Sequence, residues 1–158
     1  MEEYERPPVV SVNRCLIKNA NKELLLIQRS EDDKHNPGKW EFPGGKLDDG
    51  ENLIPGTIRE TLEETGLLVE PELSPVFAEG HYIRGGKHKG SIYLALYWYA
   101  KIIGGEIKLS EEHDNFVWKS EKEASKLDLT PGSRKTLKEL GKTALKNIKR
   151  DNEPPEVI

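Results

Sequence analysis

The apolar positions of the chain fall into short runs separated by turn residues, and their period changes along the sequence. Residues 9–17 (VVSVNRCLI) are rich in β-branched side chains and predict a strand. Lys18 to Lys22 supply turn residues, and residues 23–30 (ELLLIQRS) read as the hairpin partner of that strand. After a polar loop, Trp40-Glu41-Phe42 alternates as a short strand. Pro43-Gly44-Gly45 then interrupts it, and Asp48-Asp49-Gly50 marks another turn.

A helix is predicted next. Pro55 pushes Ile54 away from helical angles but is itself tolerated in a first turn, so the regular helix is expected to begin near Pro55. Ile58, Thr61 and Leu62 give it a core-facing stripe, and Gly66 is placed to end it in the left-handed conformation. Gly56, a poor helix former, sits in its first turn. Strands return at 75–83, 91–103 and 115–119. From Pro131 to Lys149 the period is helical again, with Leu137, Leu140, Leu145 and Ile148 as the apolar stripe and the lysines as its solvated face. Residues 151–158 read as a frayed tail. This order predicts an α/β (α+β) sandwich, a mixed sheet flanked by helices, in a single domain over 1–150.

Composition narrows the classes. The 158 residues are 35% hydrophobic and 33% charged with a formal charge of −4, which argues against binding nucleic acid through phosphate neutralisation. The longest apolar stretch, IYLALYWYAKII, is broken by Lys101 and too short to span a membrane. The lone Cys15 lies in an apolar run and reads as a small buried thiol, and no Cys/His cluster suggests zinc. With no apolar signal core at the N-terminus, a cytoplasmic, reducing location is the default expectation.

The candidate chemistry begins at residues 59–66 (RETLEETG). Glu60, Glu63 and Glu64 share one helical face at i, i+3 and i+4, where each like-charge pair costs a few tenths of a kcal/mol. Either the cluster is a wet face in which Arg59 and Glu63 make an ordinary i,i+4 pair, or a cation offsets the repulsion. Three hard oxygen donors on one face suit Mg²⁺ or Mn²⁺. Gly44 and Gly45 permit backbone angles that let a main-chain carbonyl turn toward the same ion.

The spacing around these residues decides between the readings. Five residues separate Gly45 from Glu51 and seven separate Glu51 from Arg59-Glu60; Glu63-Glu64, Gly66 and Leu67 follow. This is the full spacing of the Nudix box. With Trp40-Glu41-Phe42-Pro43-Gly44-Gly45-Lys46 before it, the chain resembles a Nudix hydrolase of the MutT-like branch. It departs from that pattern at Thr61, usually aliphatic, and at Pro55-Gly56, usually better helix formers.

The resemblance implies an α/β/α sandwich and an Mg²⁺ or Mn²⁺ site. Glu63 and Glu64 would be principal ligands, with the Gly44 or Gly45 carbonyl nearby. Glu60 would be a ligand or the base that activates water. Arg59 would orient and partly neutralise the carboxylates, and Glu51 would support the loop–helix junction. A further carboxylate is placed at Glu112, with Glu111 and His113 as alternatives. On the substrate side, Arg29 would reach a phosphate or cap its strand, and Phe42 would wall a nucleobase or fill the core. Lys46 is a further candidate, and Ser133 stands where MutT-like proteins carry a base-reading asparagine.

The implied reaction is cleavage of a nucleoside diphosphate linked to X. A nucleoside triphosphate, oxidised or not, would give a monophosphate and pyrophosphate. ADP-ribose members place a proline where Tyr82 and Ile83 stand, and diadenosine-polyphosphate members a tyrosine where Arg84 stands. Both departures count against those branches, and ADP-ribose and dinucleoside polyphosphates are kept only as the alternative substrates. A catalytically silent nucleotide-sensing module is the alternative of another class. The expected partner is a small nucleotide, not nucleic acid or membrane, and a homodimer stays open.

Overall fold

Period-two burial organises the strands in the structure, a computed structural model that describes residues 5–151, without the side chains of 144, 145 and 147–151. In chain order the elements are β1 (Val9–Lys18), β2 (Leu24–Arg29), β3 (Trp40–Glu41), β4 (Gly44–Lys46), α1 (Leu53–Thr65) and β5 (Leu67–Pro71). Then follow β6 (Phe77–Tyr82), β7 (Ile92–Gly105), β8 (His113–Lys119), α2 (Glu121–Ala124) and α3 (Pro131–Asp151).

Strand β7 is the spine of an eight-stranded mixed sheet. It runs parallel to β1 from Val9↔Ile92 to Lys18↔Lys101 and divides its other edge between β6 and β5, both antiparallel. The free edge of β1 pairs with β4 and, at its end, with β2; β2 also pairs with β3 and β8. The predicted hairpin forms, its turn closed by the Asn19 side chain, which accepts from the N–H of Asn21 and Glu23. Alternation along β1 and β2 then makes two cores. Leu16, Leu24 and Leu26 join Phe42, Tyr97 and Leu137 on the α2/α3 face, while Cys15, Ile17, Leu25 and Ile27 join Leu67 and Val69 on the other. The predicted sandwich with a mixed sheet is the observed architecture.

Several expectations need correction. Helix α1 starts at Leu53, and its first backbone bond runs from Gly56 N–H to the Asn52 carbonyl. Pro55 therefore occupies a first-turn position where no N–H is required. Of the expected stripe Thr61 is fully buried, but Ile58 is half-buried and Leu62 is 44% exposed, and the inward face is a threonine seam of Thr57, Thr61 and Thr65. Those hydroxyls are satisfied, Thr57 donating to the Leu53 carbonyl, Thr65 to the Thr61 carbonyl and Thr61 to Cys15 Sγ. A Cβ at Gly56 would collide with Leu47 and Glu51, which accounts for a poor helix former in this turn. Gly66 ends α1 at φ 76°, as expected.

Strand β5 was not predicted, and β8 begins two residues before the predicted 115. In α3, Leu137 is buried and Leu140 packs against the core; Leu145, Ile148 and the predicted tail beyond Asp151 lie outside the described side chains and residues. Among the described residues no helix is long and apolar enough to cross a membrane.

Cys15 is fully buried, and burial pushes its thiol up to about 11 against the hydrogen bond from Thr61. The thiolate is the reactive form. Iodoacetamide at pH 8 is therefore expected to alkylate Cys15 readily in denaturant and hardly at all in the native protein. Mass spectrometry showing equal labelling rates would contradict this placement.

Candidate active site

Arg59 supplies a positive charge for the crowded glutamates. Its Nε and Nη2 donate to the two oxygens of Glu51 at 2.7 and 2.8 Å, and its Nη1 to both oxygens of Glu63 at 3.1 and 3.0 Å. Nη2 also lies 3.0 Å from Glu60 Oε1. Glu51 additionally accepts the Asp48 N–H, which ties the glycine loop to α1. The Arg59 hydrogen bonds, then that backbone N–H, hold Glu51 down at about 2. Burial raises the pKa of Glu60 against the pull of Arg59.

Glu64 lies apart from this fork. Only 8% exposed, it accepts the Gly44 N–H at 2.9 Å. Burial pushes it up to about 7, opposed by Arg14 and His113. The approach of β4 depends on its glycines. Gly44 has φ 141°, and a Cβ there would strike the backbone of Asn13 and Arg14 in β1. A Cβ at Gly45 would meet Glu60 Oε2 at 2.5 Å.

The loop before β8 completes the acidic side. It is fastened to the end of α1 by bonds from Lys108 N–H to the Thr65 carbonyl and from Ser110 N–H to the Glu64 carbonyl. A depression of about 450 Å³ is thereby lined by Glu60, Glu63, Glu64, Ser110, Glu111 and Glu112. Single donor atoms of Glu64, Glu112 and His113 lie within 4.8 Å of one another. Ser110 Oγ and His113 Nδ1 are buried there with no hydrogen-bond partner. Clustered carboxylates with unpartnered oxygen and nitrogen atoms beside them fit a divalent cation. Glu112 thus lies near Glu64 and lines the same depression as Glu60 and Glu63, and Glu111 lines it too.

A second feature adjoins the first. Glu41, 2% exposed, lies 3.0 Å from Arg29 Nη1, 3.4 Å from Arg14 Nη2 and 3.0 Å from His113 Nε2. Burial opposes its charge, but Arg14, His113 and Arg29 together hold it at about 2. Glu41 also lines a cleft of about 370 Å³. Arg14, Arg29, Glu79, His81, Tyr93 and Lys135 are among its lining. His81 and Tyr93 are cross-strand partners with ring centroids 5.0 Å apart, and Glu79 accepts from Lys135 at 3.0 Å.

The expected substrate residues fare unevenly. Arg29 lines the cleft, yet its guanidinium is bound to Glu41, Asp33 and the His35 carbonyl. Phe42 is 0% exposed and packs edge-on to Tyr97, so it is core and not a base-contacting wall. Ser133 is equally buried, its hydroxyl accepting the Phe42 N–H, which removes it as a base reader. Lys46 is exposed in another depression, 3.4 Å from His88 Nε2. Sequence reasoning missed Arg14, Glu41, Glu79, His81 and Tyr93. Strand parity was the available signal: Arg14 pairs with Tyr97 and Phe77 with Tyr97, which places β6, β7 and β1 side chains on one face.

The NUDIX domain family matches residues 7–140. The chain is 30% identical over 122 residues to the uncharacterised Nudix hydrolase YvcI of Bacillus subtilis, covering 77% of this chain and 72% of that one. It is 34% identical over 127 residues to the asymmetrical bis(5'-nucleosyl)-tetraphosphatase of Rattus norvegicus, covering 78% and 81%. Among solved structures, the MutT protein of Methanosarcina mazei Go1 superposes with a TM-score of 0.72 at 27% identity, covering 89% of this chain and 99% of that one. The chain belongs to the Nudix hydrolase family and is a pyrophosphohydrolase.

Proposed function

We propose that this chain hydrolyses a nucleoside triphosphate to a monophosphate and pyrophosphate in the cytoplasm, with Mg²⁺ or Mn²⁺ as cofactor. The observation that carries this reading is the link through Glu41, which lines the basic, aromatic cleft and contacts His113, itself grouped with Glu64 and Glu112. The cleft, at about 370 Å³, is near the small end of the 300–1,000 Å³ typical of small-molecule sites and suits a single nucleoside. Its polyphosphate would run past Arg14 toward Glu64.

Glu63, Glu64 and Glu112 would hold the ion with a Gly44 or Gly45 carbonyl, and Glu60 stands beside them. When bound, the ion would neutralise phosphate charge, polarise a phosphoryl oxygen and lower the pKa of its water. Glu60, raised by burial, is suited to take the proton of the attacking water at a carboxylate oxygen. The water oxygen joins phosphorus as the bond to the bridging oxygen breaks, and pyrophosphate leaves with that electron pair. Arg59 keeps Glu60 and Glu63 oriented. Arg14, in contact with the Phe42 carbonyl at 2.9 Å and with Glu41, is fixed where it can meet the phosphates.

A dinucleoside polyphosphate is the second reading, favoured by the similarity to the rat tetraphosphatase. It places one nucleoside in the cleft and the other outside it. Turnover of a panel of triphosphates, diadenosine tetraphosphate and ADP-ribose, with and without EDTA, tests both. The expected result is metal-dependent pyrophosphate release from a triphosphate. Preferential release of ATP from the tetraphosphate would favour the second reading, and no turnover of any would overturn both.

A further inference from the structure

The first residue of β8, beside the loop that closes the acidic depression, carries a buried ring nitrogen with no hydrogen-bond partner. His113 is 1% exposed at its side chain, and its Nε2 lies 3.0 Å from Glu41 Oε1. Glu41 is held ionised by Arg14 and Arg29, so this contact requires the proton on Nε2. The lone pair of the neutral ring then sits on Nδ1, which is buried and has no partner. Among the described residues, the other buried side-chain atom left in this condition is Ser110 Oγ, in the loop that leads into β8. A fold seldom buries a hydrogen-bonding atom without a partner, and two in four residues point to a ligand that belongs between them.

The position of the ring says which ligand. One of its nitrogens lies within 4.8 Å of carboxylate oxygens of both Glu64 and Glu112. Behind it stands a carboxylate that fixes tautomer and orientation, the arrangement typical of metal-bound histidine. We propose that His113 is a nitrogen ligand of the divalent ion, sharing it with Glu64 and Glu112, and that Glu41 is its positioning residue. The proposal rests on the metal-site reading given above and sharpens it. A purely oxygen site suits Mg²⁺, whereas an imidazole donor shifts preference toward Mn²⁺ and the later transition metals. The consequence is a site that prefers Mn²⁺ to Mg²⁺. It also makes the Glu41 cluster a link between substrate cleft and ion.

Electron spin-echo spectroscopy of Mn²⁺ bound to the full chain, without nucleotide, tests this independently of turnover. Wild-type protein is expected to show modulation from a directly bound ¹⁴N, replaced by a ¹⁵N pattern when only histidine is isotopically labelled. His113→Gln is expected to lose that modulation and to weaken Mn²⁺ binding by about 10-fold or more, with a smaller change for Mg²⁺. If the variant fails to fold, the labelled wild-type spectrum decides alone. Bound Mn²⁺ without histidine coupling overturns the proposal and leaves metal-dependent hydrolysis standing. Failure of Mn²⁺ to bind at all overturns both.

Discussion

Glu64→Gln is expected to lower kcat/KM on the order of a thousandfold while leaving the metal-free protein at least as heat-stable as wild type. The first half follows from Glu64's place beside Glu112 and His113. Losing a metal contact that stabilises the transition state by several kcal/mol costs about three powers of ten, at about 1.4 kcal/mol each. The second half follows from burial. A glutamine oxygen can still accept the Gly44 N–H, so the β4–α1 junction survives. The ionised carboxylate, however, is disfavoured in the folded state, where burial pushes it up to about 7. A raised folded pKa means that ionisation above the unfolded value destabilises the native state, and glutamine removes that cost. Pyrophosphate release and thermal melts in EDTA measure the two halves. Turnover within tenfold of wild type would remove Glu64 from the ligand set, and a large fall in the EDTA melting temperature would mean that its charge supports the fold.

The contrast between Glu64 and Glu63 marks where sequence reading stopped. Spacing placed Glu60, Glu63 and Glu64 on one face and joined them to Gly44 and Gly45, the family resemblance added Glu112, and Glu60, Glu63, Glu64 and Glu112 line one depression in the structure. Spacing could not divide the group. Glu63 hangs on Arg59 at the surface, while Glu64 turns inward to Gly44, because the side on which β4 arrives depends on tertiary packing. The same limit explains the helix face. Ile58 and Leu62 fit an apolar stripe, but the surface of β1 leaves space for Thr61 against Cys15 and satisfies its hydroxyl there. β5 escaped notice because Leu67 and Leu68 are adjacent and only one of them faces the core. Phe42 and Ser133 illustrate the hardest class. Each was plausible as a surface contact, yet both are fully buried and joined by a bond spanning 91 positions of sequence that no local pattern carries.

Glu41→Gln is expected to produce the largest loss of stability among single polar substitutions in this chain. Glu41 is nearly inaccessible and neutralises two guanidinium groups, Arg14 and Arg29, that are themselves mostly covered. Glutamine keeps the shape but leaves those charges facing a neutral amide. Breaking a buried pair in this way typically costs about 3–5 kcal/mol, because the remaining charge stays desolvated. For a domain of this size 1 kcal/mol moves Tm by roughly 2–4 °C, so a fall of roughly 6–20 °C is expected. Lys135→Met supplies the control. It breaks the Lys135–Glu79 pair, whose side chains are 62% and 24% exposed, and such a pair contributes about 1 kcal/mol or less. Differential scanning calorimetry of both variants, compared with wild type, separates the cases. If Glu41→Gln falls no further than the control, water reaches the cluster. Glu41 would then not be the rigid joint that holds His113 on one side and orients Arg14 toward the cleft on the other.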